Sequence, residues 1–298
     1  MTGKPDYRLI FALTGVAVVW GTTYLGIRVA VETIPPWFVT AIRQTIASLI
    51  LLVILLRKRE LKWMNWPYLG RQLLLSVLMV VIANGMTTSA EKTIPSGLTS
   101  LLNSLNPLVV FIGSVLIGLQ RPSLKGFLGV MIGFSGVAFI FRAGISDLLD
   151  PNYKTGIFYL CIALTAWSIG TIYSKKYVFP TANIFLDLFY QFAFSAVIQL
   201  GLAFLFSGDT SVSNWSGTSL GAVVYLAVFG SVVGYFCYHY ALKKVSATEV
   251  SILSYFNTVI ALFLGWLILD EVITFDIVIA TVLIILGVFI TSFRREKI

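Results

Sequence analysis

Residues 20–48 read WGTTYLGIRVAVETIPPWFVTAIRQTIAS, and several of these side chains return 147 positions later, in residues 167–195. Among the identical positions are Trp20, Gln44 and Ser48, matched by Trp167, Gln191 and Ser195. A second register, offset by 151, pairs Ala90, Lys92, Ser100, Leu102, Asn106, Leu116 and Gly136 with Ala241, Lys243, Ser251, Leu253, Asn257, Leu267 and Gly287. Since Trp, Gln, Lys and Asn rarely coincide by chance in an apolar chain, we predict an internal repeat with halves at residues 1–145 and 146–298.

The composition excludes an ordinary soluble domain. Hydrophobic residues make up 58% of the chain and charged residues 11%, whereas soluble domains carry about 25% charged residues. Apolar runs close to the ~20 residues that cross a bilayer as a helix occur at 9–31, 36–56, 72–90, 96–119, 124–141, 155–174, 184–206, 218–241, 247–269 and 275–293. The runs are continuously apolar, which favours helices over a barrel. We therefore predict an all-α membrane protein with ten transmembrane helices.

The net charge of +8 is concentrated on one side of these spans. Sixteen of the 21 basic residues fall in the tails and in alternate connections. By the positive-inside rule both termini are then cytoplasmic, and the partner of this basic face is the lipid bilayer, not a nucleic acid. Each half has five spans, so the second half enters the membrane from the opposite side. Such an inverted repeat is typical of secondary transporters, which expose a central site to either face in turn.

Short motifs along the chain resemble those of one family. They are Trp20-Gly21-Thr22-Thr23-Tyr24, Arg43 with Ala47, Asn106-Pro107, Ala166-Trp167 and Leu269-Asp270-Glu271-Val272-Ile273-Thr274. With the five-plus-five repeat, they make the chain resemble the drug/metabolite transporter superfamily, of the bacterial EamA-domain type with ten spans. Two positions depart from that pattern: Gln120-Arg121 stands where a Glu often precedes the fifth span, and Thr258 where the ninth often has a Pro.

The resemblance implies a multi-pass carrier of a small solute in the bacterial inner membrane, commonly an exporter of amino acids or related metabolites. Alternating access would run through a central cavity framed by spans one to four and six to nine, with the fifth and tenth spans at the edge.

Cysteines and glycines bear on cofactors and partners. Cys161 and Cys237 have no His or carboxylate neighbours at ligand spacing, so we predict neither a metal site nor a cofactor. Gly129 and Gly133 in span five have the small-xxx-small spacing that lets helices approach closely. Packing within the chain and a homodimer seam would both use it.

Polar side chains on one face of span four are the first candidates for the cavity wall. Ser96, Thr99, Asn103 and Asn106 are spaced three, four and three residues apart, which places them on one helix face. They either form hydrogen bonds between helices or face a polar solute. The full predicted substrate-binding set is Trp20, Tyr24, Arg43, Asn84, Asn103, Asn106, Trp167, Tyr190, Tyr235, Ser254 and Asn257. Pro107 removes a backbone hydrogen bond beside this face, so we predict a gating bend there.

Arg43 is the deepest charged candidate. It lies about seven residues into span two, roughly 10 Å below the membrane surface at 1.5 Å per residue. An arginine at that depth is costly and marks a candidate site, although pairing with backbone carbonyls is the alternative. The carboxylates, Glu91 among them, all fall in connections or in the first turns of spans, so the sequence gives proton coupling little support.

Two rival functions remain at this stage. Gly133-Phe134-Ser135-Gly136, with His239 as base, resembles the motif of intramembrane serine proteases, but Ser135 aligns with Leu286 in the repeat. A receptor or assembly protein without transport is the other alternative, disfavoured because no soluble sensor or effector domain accompanies the spans. We predict a transporter and not an enzyme.

The predicted topology is open to direct test. A single cysteine introduced at Ser211 should react with a membrane-impermeant thiol reagent from outside the cell, and one at Lys62 only from inside. The parent chain, with Cys161 and Cys237 alone, is the control for background reaction. The reverse pattern would contradict cytoplasmic termini.

Overall fold

The structure is a computed structural model that describes residues 6–94, 96–140, 153–177, 183–208, 211–260 and, nearer the C-terminus, 279, 282–287 and 290. Every regular element in these ranges is helical. The α-helices are α1 (Tyr7–Ala30), α2 (Pro36–Lys58), α3 (Trp66–Leu75), α4 (Ala83–Ala90), α5 (Ser96–Asn103), α6 (Asn106–Leu116), α7 (Leu124–Ile140), α8 (Lys154–Lys176), α9 (Ile184–Phe206), α10 (Gly217–Tyr225), α11 (Gly234–Lys244) and α12 (Ala247–Ser251), and residues 253–260 are also helical.

Six helical runs in the described ranges are long and apolar enough to cross a membrane. They are Tyr7–Ala30, Pro36–Lys58, Trp66–Ala90, Lys154–Lys176, Ile184–Phe206 and Gly217–Lys244, which coincide with predicted spans one to three and six to eight. The shorter apolar helices Asn106–Leu116 and Leu124–Gly136 lie within predicted spans four and five. Residues 261–269 of predicted span nine and most of predicted span ten lie outside the described residues. The all-α membrane class is therefore confirmed, while the count of ten spans remains a prediction.

Local sequence fixes the helix ends on the side where α1 begins, here called the N-terminal face. The Leu9 N–H donates to Asp6 Oδ1 at 3.2 Å, and Asp6 Oδ2 lies 3.2 Å from Lys244 Nζ at the end of α11. These contacts, the Leu9 hydrogen bond first among them, hold the pKa of the Asp6 carboxyl below its ordinary value. Asn183 caps α9 at the same face. The first helix and α11 are thus joined at this face.

Side chains also join the helices at the opposite face, here called the distal face. The Ser216 N–H donates to Thr33 Oγ1 at 3.0 Å, and Ser219 Oγ donates to the Val29 carbonyl at 2.8 Å. The start of α10 is therefore tied to the end of α1.

Spans three and eight are not uniform α-helices, because each contains a π-helical segment, Ser76–Ile82 and Leu226–Val233. Hydrogen bonds in a π-helix run over five residues instead of four, and such segments are frequent at functional sites. The wider turn leaves carbonyl groups to be satisfied by side chains. Gln199 Nε2 of α9 supplies one such bond, to the Val80 carbonyl at 2.9 Å.

Two further hydrogen bonds to carbonyl groups of the π-helical segments also join the two halves of the chain. Trp20 Nε1 in the first half donates to the Gly230 carbonyl in the second at 3.0 Å. The Tyr235 hydroxyl in the second half donates to the Met79 carbonyl in the first, also at 3.0 Å. Aromatic side chains thereby position spans one, three and eight against one another.

Close glycine contacts settle how α7 packs. A Cβ added to Gly133 would lie 2.4 Å from Tyr255 Cε2, and one added to Gly287 would lie 2.4 Å from the Gly133 nitrogen. The glycine face of α7 is therefore used for packing within the chain, which is one of the two alternatives that the sequence left open.

A buried polar network holds α9 against α3. Asp187 of α9 is 6% exposed, and its Oδ1 accepts hydrogen bonds from the Tyr68 hydroxyl at 2.6 Å and from Gln72 Nε2 at 3.1 Å. Gln191 Nε2, one turn further along α9, donates to Gln72 Oε1 at 2.8 Å. Each of these donors stabilises the folded protein, because a buried acceptor without a hydrogen-bond donor lowers the free energy of unfolding.

We expect Tyr68→Phe to destabilise the protein by about 1–3 kcal/mol, because it removes a donor from a buried carboxylate. The readout is the midpoint of thermal unfolding in detergent. Tyr240→Phe is the matched control, since the Tyr240 hydroxyl makes no hydrogen bond to a described residue, and its midpoint should match that of the parent. Equal midpoints for all three proteins would show that the network contributes little.

Candidate functional site

The helices enclose a central cavity with walls from α1, α2, span three, α5, α6, α8, α11, α12 and residues 253–257. Its opening included, the empty space measures about 840 Å³. Ten of the eleven predicted binding residues line it: Trp20, Tyr24, Arg43, Asn84, Asn103, Asn106, Trp167, Tyr235, Ser254 and Asn257. The expected frame included span seven, but α9, which the structure describes from end to end, contributes no lining residue.

Tyr190 is the predicted binding residue that the structure places elsewhere. It is 7% exposed, its hydroxyl donates to the Lys62 carbonyl at 2.8 Å, and its ring centroid lies 5.8 Å from that of Tyr68. The repeat offset correctly relates Tyr190 to Arg43 in sequence, but α9 packs along α2 and against α3, outside the ring of cavity-lining helices. Its side chain therefore meets the connection between spans two and three.

Arg43 projects from α2 into the cavity wall and is 3% exposed. Its Nε donates to Ser231 Oγ at 2.8 Å and its Nη1 to Asn84 Oδ1 at 3.0 Å. Asn84 is held in turn by Tyr235, with 3.4 Å between Nδ2 and the hydroxyl oxygen. Among the described residues no acceptor is hydrogen-bonded to Nη2, and no carboxylate is bonded to any part of the guanidinium. The side chain is thus fixed in place by neutral groups while one end of its planar fork remains without a protein partner.

Four aromatic rings form one wall of the cavity. Trp20 packs against Trp167, Tyr235 and Tyr238 with ring centroids 5.2–5.6 Å apart, and Trp167 lies 5.1 Å from Tyr238 and 5.7 Å from Tyr235. Most of these pairs are tilted or edge-to-face, as the quadrupoles of aromatic rings favour. The cluster offers a solute a rigid apolar surface made by both halves of the chain.

Amide and hydroxyl groups line another part of the wall. Asn103 Nδ2 donates to the Tyr24 hydroxyl at 3.2 Å, and Ser168 Oγ donates to Asn106 Oδ1 at 2.9 Å. Asn103 and Asn106 therefore bond across helices and also line the cavity, while their contact with a polar solute stays a prediction. Ser254 Oγ is buried and makes no hydrogen bond to a described residue, so it remains available to a polar group in the cavity.

Asn257, which the 151-residue offset relates to Asn106, lines the cavity from the second half of the chain. With its amide nitrogen turned toward the neighbouring carbonyls, it donates to Ala17 at 3.1 Å and to Leu253 at 3.0 Å. The same residue type thus lines the cavity at corresponding positions of both halves.

Span four is interrupted where the bend at Pro107 was predicted. The α-helix α5 ends at Asn103, Ser104 and Leu105 form a turn, and α6 starts at Asn106 with Pro107 in its first turn. The proline therefore starts a new helix rather than kinking a continuous one, because a first-turn position needs no N–H donor. Asn103 and Asn106 lie on either side of this break.

Some lining residues were missed. Thr23 lies three residues after Trp20, and Thr87 three residues after Asn84, so the helical spacing applied to span four would have found both. Tyr238 shares span eight with Tyr235 and was not placed in the predicted set. Glu91 was assigned to a connection because predicted span three ends at residue 90; it does not line the cavity, but its side chain is 0% exposed.

The structure does not assemble a catalytic site from the protease-like motif. The Ser135 hydroxyl donates to the Ile132 carbonyl at 2.8 Å in its own helix, while His239 packs against the rings of Tyr235 and Tyr238. No hydrogen bond joins Ser135 to His239. The described residues contain no group of three or more His, Cys, Asp or Glu side chains that could hold a metal ion.

We expect Pro107→Ala to lower transport by more than it lowers folded yield. The substitution restores an N–H group that can continue the helix from α5 into α6, which would move Asn103 and Asn106 relative to the cavity. Transport is measured in proteoliposomes at equal protein content. Pro36→Ala, at the start of α2 and away from the cavity, is the matched control. Normal transport by Pro107→Ala would show that the break between α5 and α6 has no role in gating.

The chain is similar to known proteins in both sequence and fold. The model of the EamA-like transporter family matches residues 8–142 and again residues 154–293. The uncharacterized transporter YoaV of Bacillus subtilis is 25% identical over 97% of this chain and 98% of its own length. The uncharacterized inner membrane transporter YedA of Escherichia coli K12 is 29% identical over 88% of this chain and 82% of its own length. One solved crystal structure shares the fold, with a TM-score of 0.81 at 18% identity over 99% of this chain and all of that one. The chain is a multi-pass membrane transporter that belongs to the EamA-like transporter family.

Proposed function

We propose that the protein exports a small carboxylate-bearing metabolite, such as an amino acid, across the bacterial inner membrane by alternating access. The observation that carries this proposal is Arg43, a cation fixed in the cavity wall by Ser231 and Asn84, with Nη2 bonded to no described residue. An arginine held by neutral groups keeps its full charge for a ligand. Its planar fork matches a carboxylate in a bidentate arrangement.

The rest of the wall fits the other parts of such a solute. Trp20 and Trp167 present an apolar surface for a side chain, and Ser254 and Asn103 supply hydrogen-bonding groups. The low dielectric around a buried cavity strengthens an ion pair relative to water, provided that the solute satisfies the remaining polar groups. A solute with one carboxylate and one apolar part meets these conditions.

Alternating access is supported by the correspondence between the halves. The π-helical segments Ser76–Ile82 and Leu226–Val233 begin 150 residues apart, close to the 151-residue offset of the repeat. Asn106 and Asn257, and likewise Trp20 and Trp167, line the cavity in pairs related by the repeat. An inverted repeat of this kind can exchange the conformations of its halves and so open the cavity to either face. Cytoplasmic termini and the inner membrane, where YedA is named a transporter, complete the proposal.

Substitution of Arg43 tests the carboxylate site. The probes are L-phenylalanine and L-phenylalaninamide, which differ in the group that Arg43 is proposed to bind. In proteoliposomes the parent protein should transport the acid in preference to the amide. Arg43→Lys keeps the charge but loses the fork, so the apparent affinity for the acid should fall about tenfold, or 1.4 kcal/mol. Arg43→Gln should abolish the preference.

The abundance and unfolding midpoint of each variant show whether Arg43 is needed for folding. Arg57→Gln, at the exposed end of α2, is the control for a general effect of charge. Unchanged transport by both Arg43 variants, or loss of folded protein in both, would make Arg43 structural and overturn the carboxylate site.

A further inference from the structure

Glu91 is a buried carboxyl at the distal end of span three, one helical turn beyond the cavity-lining Thr87. Its side chain is 0% exposed. Its backbone N–H donates to the Thr87 carbonyl at 3.1 Å, and its carbonyl accepts from Arg28 Nη1 at 2.7 Å. Among the described residues, no group donates a hydrogen bond to either oxygen of the carboxyl. The backbone of Glu91 is held firmly, while its carboxyl has no hydrogen-bonded partner there.

Three ionisable side chains interact electrostatically with this carboxyl: Tyr24 and Arg28 of α1 and Arg43 of α2. The lysines nearest in the surrounding elements, Lys92 beside Glu91 and Lys154 at the start of α8, are exposed. Arg28 and Arg43 act on the carboxyl electrostatically. Neither is hydrogen-bonded to it, because Arg28 donates to the backbone carbonyl and Arg43 to Ser231 and Asn84. No carboxylate lies near Arg43 in the sequence, so Glu91 reaches this neighbourhood only through the fold.

These contacts leave the ionisation of Glu91 balanced between two effects. Burial without a hydrogen-bond donor disfavours the carboxylate form and favours the protonated one. The positive charges of Arg28 and Arg43 favour the carboxylate. A negative group that binds Arg43 cancels part of this favourable charge, and the proton on Glu91 is then held more tightly.

Packing alone does not require a carboxyl at this position. The repeat offset of 151 relates Glu91 to Leu242, which is 3% exposed at the C-terminal end of the corresponding span. An apolar side chain therefore fills the equivalent buried place in the other half. The carboxyl is a feature of one half only, which points to a role other than filling space.

We propose that Glu91 is a proton-binding site linked electrostatically to Arg43, so that a solute carboxylate bound at Arg43 and a proton on Glu91 stabilise each other. The proton is taken from water onto a carboxylate oxygen and is returned to water when the solute leaves. By reciprocity, the proton strengthens solute binding as much as the solute strengthens proton binding. The solute then crosses the membrane together with a proton, and export runs down the gradient of a metabolite that accumulates inside. This inference rests on the proposed carboxylate site.

The proton site can be tested without any solute. Dicyclohexylcarbodiimide is an apolar reagent that adds to a protonated carboxyl group in the membrane, and the modified peptide is identified by mass spectrometry. In protein reconstituted in liposomes, Glu91 should be modified, and the extent of modification should fall as the pH rises. In Arg43→Gln the fall should move to higher pH, because the charge that favours the carboxylate is gone. Arg28→Gln should move it in the same direction and serves as a second variant should Arg43→Gln not fold.

Two carboxyl variants make the controls. Glu32→Gln removes an exposed carboxyl near the distal face and should leave the modification of Glu91 unchanged. Glu91→Leu, which places the residue of the other half at this position, should fold and should lose the modification. Failure to modify Glu91 in the parent protein, or a pH dependence that neither arginine variant shifts, would overturn the proposal.

Transport of L-phenylalanine tests the coupling itself. In the parent protein its apparent affinity should increase as the pH falls, by up to about tenfold per pH unit for one linked proton. In Glu91→Gln transport should persist with an affinity that no longer depends on pH, whereas a pH dependence that survives in this variant would overturn the coupling. If the parent protein transports no L-phenylalanine at any pH, the carboxylate site fails, and the carbodiimide titration still decides whether Glu91 binds a proton under the control of Arg43.

Discussion

The structure depends on one constraint: polar groups inside a bilayer must find their partners within the protein, because no water is available to them. The π-helical segments make this constraint visible. A regular α-helix satisfies its own carbonyl groups, but the wider turns at Met79 and Gly230 do not, and Tyr235 and Trp20 donate to them. The position of the aromatic cluster, and with it the shape of the cavity, follows from where those carbonyls lie.

The same constraint explains how Arg43 is tolerated so far from the membrane surface. A buried guanidinium needs acceptors, and Ser231 and Asn84 supply two without cancelling its charge. A carboxylate in direct contact would have made a closed ion pair with little attraction left for a ligand. The arrangement therefore holds the cation in place without a described carboxylate bonded to it, so its positive charge at the cavity wall is not cancelled by an ion pair.

The sequence predicted the membrane class and most of the polar and aromatic side chains of the cavity wall, because hydropathy and helical spacing are local properties. Trp20, Asn103 and Asn257 could be assigned to the wall from such patterns alone. Tyr190 could not be placed, because the repeat fixes its depth but not the direction in which α9 faces. Glu91 was overlooked for a related reason: a polar turn at the end of an apolar run looks like a connection, and burial there depends on helices distant in sequence. Nothing in the residues of Ser76–Ile82 signals a π-helix, since the wider turn is stabilised by side chains from elsewhere.

The bonds from Trp20 to Gly230 and from Tyr235 to Met79 have a consequence for how this chain can change over generations. Each half supplies a hydrogen-bond donor to a carbonyl group of the other half, so neither half satisfies these carbonyl groups by itself. A substitution that shifts the π-helical turn in one half alters the demand on an aromatic residue more than 150 positions away. The two halves must therefore change together. A substitution that moves a carbonyl group of one half is tolerated only if the other half still offers a suitable donor to it.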